Sequence, residues 1–423
     1  MAAAARRAAS SGLTALTHRL TKQFSAAQRN PANGATARTA GNLVFSPLSI
    51  YSALSLVAAG AGGKTLSELL GLLGARPRAA LAGDVRGMVE RATARDAAQP
   101  CAPRVVFASG LWHDSTRALK PAYRDAAAES CMAVARAVDF LNKPDEAGGQ
   151  INSWVAAMTS NLIDTIVEPA SVTRDTRMVL ANAIYFKGKW EKPFAWWRTK
   201  DHKFHRLDGT TVDAKFMSCH KDQFIATHDG FKVLKMPYRV RDNCYDDDDS
   251  PGAVPTTVQP QYSMCIFLPD APDGLWSIEE KMASSPGFLH EHLPDKRVPV
   301  GKFQVPKFKM SFSASVKRCL MDLGVEAMFR PGANLQDMLE NDGSGEPLFV
   351  GDVLHKTVID VNEQGTEAAA ATLVHMLGAG MPPKPPPTSV DFVADHPFAF
   401  FLVDEVSGAV LFAGHVLDPT QPK

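Results

Sequence analysis

The hydrophobic residues of the chain follow a helical spacing in its first third and a strand spacing in its last half. Recurrence at three- and four-residue intervals predicts amphipathic helices. Two such helices are marked by Leu13, Leu16, Leu20 and Phe24, and by Ile151, Trp154, Val155, Met158 and Leu162. Because Ser46 is a good helix cap and Pro47 suits a first helical turn, we predict a buried helix from Pro47 and another over 65–73.

Strands are predicted where apolar residues form continuous runs or alternate with polar ones. These segments are 105–111, 178–186, 203–204, 212–217, 231–236, 264–268, 303–312, 392–403 and 409–413. No linker rich in proline and serine separates the helical part from the strand-rich part. The sequence therefore predicts one α+β domain over residues 11–423, preceded by a flexible tail of residues 1–10.

The charge and hydropathy of the chain argue against several classes of protein. Its 423 residues carry 45 basic and 45 acidic side chains, whereas domains that bind nucleic acid usually have a basic excess. No apolar run reaches the ~18 residues that a membrane span requires, and the apolar core of a secretory signal is missing. We therefore expect a soluble, cytosolic protein that binds neither nucleic acid nor membranes.

One short motif is similar to a phosphate-binding loop. Residues 58–65 read Ala-Ala-Gly-Ala-Gly-Gly-Lys-Thr, with alanine where such a loop begins with glycine. A phosphate-binding loop follows a buried strand, but here a helix precedes it. We interpret the motif as a connection between two helices, not as a nucleotide-hydrolysing site built on Lys64.

The candidate metal and catalytic motifs are also incomplete. Asp246–Asp249 form an acidic run without the ligand spacing of an EF-hand, which favours a solvated surface loop over a cation site. His290 and His292 are too closely spaced for a zinc-protease motif. We predict no metal, no cofactor and no catalytic site.

The most informative region begins as a strand and continues into an alanine-rich stretch and a proline-rich loop. Val358–Val361 has the character of a strand, and Asn362–Thr372, which follows it, contains four successive alanines. Five prolines lie between residues 376 and 389. Such a segment is expected to be exposed and accessible to proteases.

Four blocks of sequence, in the same order along the chain, resemble the serpins, a family of protease inhibitors, and in particular their plant branch. The blocks are residues 42–50, 180–190, 362–372 and 392–398. The resemblance implies three β-sheets, about nine helices and an exposed reactive-centre loop over about 363–390. It also implies that a target protease cuts this loop, which then inserts as a new strand into the largest sheet.

The start of the loop has the composition that insertion between two strands requires. Small residues alternate at the positions that would face the interior, which are Thr366, Ala368, Ala370 and Thr372. The positions that would face outward are Glu367, Ala369 and Ala371. Gly365 can absorb the backbone rotation, so this hinge, which begins at Glu363, is predicted to be competent for insertion.

The resemblance places the attacked residue seventeenth counting from Glu363, which makes Ala379–Gly380 the reactive bond. Leu377 and Met381 are the alternatives, because the loop is slightly longer than expected of plant relatives. Lys384 would suit a trypsin-like pocket, but a proline follows it and most proteases cut poorly there. A small residue at 379 favours an elastase-like serine protease as partner, with papain-like cysteine proteases as a second class.

The resemblance also assigns residues to the region in which two strands of the largest sheet would separate to admit the loop. These are Ser46, Ser49, Asn182 and His355, with Trp190 where insertion would begin. A hydrogen-bonded cluster that rearranges on insertion is one role for them. The other is that of ordinary buried polar residues with satisfied hydrogen bonds.

The functional prediction is a monomeric suicide inhibitor of proteases, with no catalytic turnover of its own. The resemblance adds the extracellular space to the cytosol as a place where it would act. The alternative is a serpin-fold protein without inhibitory action, such as a storage, chaperone or binding protein. The intact hinge argues for the inhibitor, whereas the long proline-rich loop favours the alternative.

Overall fold

The computed structural model describes the backbone of residues 2–29, 41–74, 77–94, 102–239, 260–340, 348–366 and 389–421. Within these ranges lie nine α-helices: α1 (Ala2–Arg29), α2 (Pro47–Gly60), α3 (Gly63–Leu73), α4 (Arg78–Thr93), α5 (Pro121–Cys131), α6 (Pro144–Met158), α7 (Leu275–Ser284), α8 (Phe288–Glu291) and α9 (Lys317–Asp322). Residues 2–10, for which the sequence predicts a flexible tail, belong to α1. The domain boundary at residue 11 stays a prediction.

The same ranges contain seventeen β-strands. In chain order they are β1 (Leu43–Phe45), β2 (Arg104–Asp114), β3 (Ala133–Val138), β4 (Met178–Lys189), β5 (Lys200–His205), β6 (Thr211–Met217), β7 (Gln223–His228), β8 (Phe231–Pro237), β9 (Tyr262–Pro269), β10 (Arg297–Val298), β11 (Val300–Pro306), β12 (Phe308–Ser315), β13 (Asp352–Asn362), β14 (Gly365–Thr366), β15 (Val390–Val393), β16 (Phe398–Asp404) and β17 (Val410–Val416).

The described strands form three sheets. The seven-stranded sheet has the order β1-β17-β16-β9-β8-β7-β10, and the four-stranded sheet has the order β15-β11-β6-β5. The six-stranded sheet has the order β12-β13-β14-β4-β2-β3. Three sheets with nine helices confirm the predicted α+β architecture.

Two segments predicted as single strands are each divided between two sheets. The segment 303–312 ends one strand at Pro306 and begins the next at Phe308, and the segment 392–403 is interrupted before Phe398. A proline stands at each interruption, Pro306 in the first and Pro397 in the second. After each interruption the chain pairs in another sheet, β12 with β13 and β16 with β9 and β17, and the ends of strands are where proline is tolerated.

Helix α6 ends at Met158, four residues before the predicted Leu162. The Thr159 hydroxyl donates to the carbonyl of Val155 at 2.8 Å and accepts the amide hydrogen of Ile163 at 3.1 Å. Positive φ angles at the two residues that follow Thr159 then turn the chain away from the helix axis. The apolar spacing alone could not reveal this local stop.

Helix α2 is the central helix of the core, and all of its residues except Ala59 are buried. Its start agrees with the sequence, since Pro47 is the first helical residue and the Ser46 hydroxyl accepts the amide hydrogen of Ser49 at 3.2 Å. The helix packs against β2, β4 and β17, and therefore lies between the six- and seven-stranded sheets. In the described ranges, no helix has the length and apolar character needed to cross a bilayer.

Candidate functional site

The six-stranded sheet is closed along part of its length and open at one end. Strands β4 and β13 pair directly and in parallel, from Val179 opposite Asp352 to Tyr185 opposite Val358. We call this contact the seam. Beyond it the two strands separate, and β14 lies between them, antiparallel to both. The first loop residues therefore already form a short strand of the sheet.

Thr366 lies in the interior at the open end of the seam. It is opposite Val361 of β13 and Gly188 of β4 and is fully buried. Its side-chain oxygen lies 2.6 Å from the hydroxyl of Tyr238, with which it forms a hydrogen bond. The side chain thus has the inward direction that the alternation in the sequence predicts.

The neighbouring Gly365 occupies a position that has no room for a side chain. Its φ angle is +153°, and a Cβ atom would lie 1.9 Å from the carbonyl oxygen of Gly188. The two strands can come this close because Gly188 also lacks a side chain. A Cβ atom at Gly188 would lie 2.8 Å from Tyr238. Glycine is therefore required at 365 for the chain to enter the sheet here.

Glu363 anchors the turn that precedes β14. Its carboxylate accepts a hydrogen bond from the Thr199 hydroxyl at 2.8 Å and forms an ion pair with Lys307 at 2.8 Å. Its carbonyl accepts the amide hydrogen of Phe194 at 2.8 Å. Partial burial raises the pKa of this carboxyl, but the ion pair and the hydrogen bonds outweigh it and hold the pKa below its usual value.

Trp190 lies beside the turn that precedes β14. Its ring stacks on Tyr238 with the centroids 4.4 Å apart. Its Nε1 donates to the carbonyl of Asn362 at 2.8 Å, and its amide donates to the carbonyl of Gln364 at 2.9 Å. Trp190 therefore binds the turn through both its side chain and its backbone.

The second predicted group of residues lies in the middle of the seam. His355 of β13 is opposite Asn182 of β4, and its Nε2 accepts the amide hydrogen of Ser46 at 3.0 Å. The Thr357 hydroxyl lies 2.8 Å from the same nitrogen. Complete burial lowers the pKa of His355 to about 3, so the imidazole is neutral.

The seam carries buried polar atoms that have no hydrogen-bond partner among the described residues. On the seam itself they include the side-chain nitrogen and oxygen of Asn182, Nδ1 of His355 and the hydroxyl of Tyr185, and beside it the hydroxyls of Ser109 on β2 and Ser49 on α2. Ser109 lies opposite Asn182 on β2, so the set extends across three strands. Buried polar groups normally have a hydrogen-bond partner, so a further donor or acceptor would be stabilised at this place.

Sequence reasoning missed several residues of this site. Tyr238, Thr199 and Lys307 contact the hinge from distant parts of the chain, and Ser109 and Thr357 join the middle of the seam. The alternation of Val353, His355 and Thr357 on a predicted strand could have indicated Thr357. Nothing local in the sequence indicates the others.

The rest of the predicted loop lies outside the described residues. This applies to Glu367, Ala368, Ala369, Ala370, Ala371, Thr372, Ala379 and Gly380. It also applies to the acidic run 246–249. In the ranges that are described, no group of three or more metal-binding side chains occurs.

The motif at 58–65 is a connection between α2 and α3. The amide of Gly62 donates to the carbonyl of Asn334 at 2.9 Å, and the Thr65 hydroxyl accepts the amide hydrogen of Asn334 at 3.0 Å. Lys64 is exposed and pairs with Glu68 at 3.6 Å. The Gly62 amide and the Thr65 hydroxyl are thus engaged with Asn334, and Lys64 is paired within its own helix, which argues against a nucleotide site.

Comparison with known proteins identifies the class. The family model described as "Serpin (serine protease inhibitor)" matches residues 14–419, and the chain belongs to the serpin family. A relative from Oryza sativa subsp. japonica, "Putative serpin-Z6C", is 56% identical over 99% of this chain and 100% of its own. "Serpin-ZX" from Hordeum vulgare is 41% identical over 90% and 91% of the two chains. The sequence resemblance to plant serpins is thereby confirmed.

Solved structures agree with this assignment. The native stressed conformation of Arabidopsis AtSerpin1 has a TM-score of 0.82 and 33% identity, and the match covers 99% of both chains. Uncleaved ovalbumin, at 23% identity and a TM-score of 0.76 over 97% of this chain and all of its own, has the same fold. The family is one of protease inhibitors.

Proposed function

We propose that this serpin inhibits serine endopeptidases as a suicide substrate. A protease would cut the loop and remain bound to it through an acyl bond, and the freed loop would continue β14 down the seam. The observation that supports this most directly is the position of Gly365 and Thr366, which already pair with β4 on one side and β13 on the other.

The observed register indicates where the rest of the loop would lie. Thr366 is opposite Gly188 and Val361, so a residue six positions further along the loop would be opposite Asn182 and His355. That residue is Thr372. Side chains six positions apart lie on the same face of a strand, so its hydroxyl would arrive among the unpaired polar atoms of the seam.

The hydrogen bonds that insertion would form are of the same order in free energy as the stability of a protease. About fourteen added residues would form on the order of twenty backbone hydrogen bonds, each contributing about 0.5–1.5 kcal/mol. Their sum is comparable with or larger than the ~5–15 kcal/mol that keeps a typical domain folded. Because the protease would travel with the loop, its oxyanion hole would be distorted and deacylation would lose its stabilisation.

We place the reactive bond at Ala379–Gly380, with Leu377 and Met381 as the neighbouring choices. A small residue before the bond suits proteases with a shallow, elastase-like pocket, and papain-like proteases are the second class of target. Inhibition by one molecule of serpin per protease requires no partner subunit, so the active species would be a monomer.

The test is incubation of the full chain with pancreatic elastase and, separately, with papain. We expect a band at the summed mass that survives denaturing electrophoresis, and a released peptide that begins at Gly380. Clean cleavage without such a band for either protease would overturn the proposal. That result would favour the alternative, a serpin-fold storage, chaperone or binding protein.

A further inference from the structure

We propose that Tyr238 is a positioning residue for loop insertion: its hydroxyl holds Thr366 in the open end of the seam before any protease arrives. The first residues of the loop are then already in register when the loop is cut. This inference rests on the proposed inhibitory function, and it adds a residue that approaches the loop from β8 and the seven-stranded sheet.

The contact is buried and close, and it joins a side chain of β14 to one that directly follows β8. The two hydroxyl oxygens lie 2.6 Å apart, and Thr366 is fully buried while Tyr238 is 1% exposed. Burial raises the pKa of Tyr238 far above its usual value, so the hydroxyl keeps its proton. If Thr366 withdrew, this hydroxyl would be left unpaired in the interior, which is unfavourable.

Tyr238 is itself held in a fixed orientation. Its ring stacks on Trp190 and contacts the edge of Phe186, with centroid distances of 4.4 Å and 4.8 Å. Its amide donates to the carbonyl of Tyr262 at 2.9 Å. A hydroxyl on such a fixed ring specifies one position for Thr366, and it does so without contact to the cleavage site.

The contact would affect the competition between two rates, that of acyl-bond hydrolysis and that of loop insertion. After cleavage the acyl bond is either hydrolysed, which releases the protease, or displaced with the inserting loop, which traps it. Starting a new strand is slow because the chain must be ordered before it gains contacts. A loop whose first two residues are already paired avoids that step. The rate of insertion therefore rises relative to the rate at which the acyl bond is hydrolysed.

The experiment is a double-mutant cycle with Tyr238→Phe and Thr366→Val, each of which removes one hydroxyl and little volume. With pancreatic elastase as the probe, the number of serpin molecules consumed per trapped protease is measured together with the association rate. Losing one hydrogen bond corresponds to a rise of about two- to tenfold in the ratio of hydrolysis to trapping. The association rate is expected to stay unchanged, and the double variant is expected to equal either single variant.

Tyr123→Phe is the matched control, because the Tyr123 hydroxyl is also buried and donates to the carbonyl of Leu56 at 2.9 Å, on the helical side of the core. The Tyr123→Phe variant should leave the ratio of hydrolysis to trapping unchanged. Thr366→Ser keeps a hydroxyl at 366 and should restore most of the wild-type ratio.

A second measurement does not depend on inhibition. Hydrogen exchange of a peptide covering residues 362–366 should be slow in the wild type and in Tyr123→Phe, and at least twofold faster in Tyr238→Phe. Equal exchange and an equal trapping ratio in Tyr238→Phe and wild type would overturn the role of Tyr238. If even the wild type formed no stable complex, the inhibitory function would fail, while the exchange data would still decide whether Tyr238 holds Thr366.

Discussion

The carboxylate of Glu363 lies 2.8 Å from the ammonium group of Lys307, which links the start of the loop to the residue between β11 and β12. Lys307 is the point at which the chain leaves the four-stranded sheet and enters the six-stranded one. The ion pair therefore connects the hinge to two sheets at once. It is also partly shielded, since the Glu363 side chain is only 14% exposed.

Reversing the charge of Glu363 should loosen the hinge. Glu363→Lys places two cations together and removes the acceptor of the Thr199 hydroxyl, with an expected cost of about 1–2 kcal/mol. We expect a thermal midpoint lowered by a few degrees at a fixed scan rate, and faster loss of inhibitory capacity on storage. Asp360→Lys is the control. Asp360 forms an ion pair with Lys309 at 3.5 Å on the same sheet, and this pair is more exposed than that of Glu363 and Lys307. Equal losses in both variants would contradict a specific role for the hinge pair.

Two buried histidines should make the native fold sensitive to acid. Burial lowers the pKa of His18 to about 4 and that of His355 to about 3, whereas unfolded histidine titrates near 6.5. The unfolded chain therefore takes up protons that the folded chain does not, so stability is complete above pH 6.5 and is lost as the pH falls below it. At pH 5 the loss is roughly 2 kcal/mol per histidine.

Urea unfolding at pH 7 and at pH 5 measures this loss. His18→Gln should remove about half of the pH dependence that these two histidines cause. A His18→Gln variant with the full wild-type dependence would show that the acid sensitivity arises elsewhere.

Under the proposed mechanism, a charged residue at 366 should make the chain a substrate of the protease and no longer an inhibitor. Thr366→Arg would force an unpaired cation into a site that is fully buried, so continued insertion becomes unfavourable. The variant should be cleaved by elastase at an ordinary rate without forming a stable complex. Complex yields equal to those of the wild type would contradict insertion through this position.

Thr372 should contribute to the stability of the cleaved form only. In the register of the sheet it would meet Asn182 and His355, so Thr372→Val would leave their polar atoms unpaired at a cost of about 1–3 kcal/mol. We expect cleavage to raise the melting temperature of the wild type and of Thr372→Ser more than that of Thr372→Val. The intact forms should all melt together, and any difference among them would argue against this register.

Much of the architecture could be predicted because its signals are local. The cap at Ser46 and the buried run at 178–186 each depend on neighbouring residues, and both appear in the structure. The break between β11 and β12 at Pro306 could not be derived from the hydrophobic pattern. Val305 and Phe308, on either side of the break, are both buried, and they differ only in the sheet to which they belong.

The candidate site was harder to predict because its contacts join distant parts of the chain. Tyr238 and Thr366 are 128 residues apart, and Thr199 and Glu363 are 164 residues apart. That β14 lies inside the sheet depends on how far β4 and β13 separate, which is a tertiary property. The alternation of small residues indicated a loop that could enter a sheet, but not one whose first two residues had already entered.

The close approach of Gly365 to Gly188 constrains how this protein could evolve. Any other amino acid at 365 would collide with the backbone of β4, so no substitution is tolerated there unless the strand moves. A side chain at Gly188 would in turn crowd Tyr238, so the two glycines are needed together for the chain to turn into the sheet at this point.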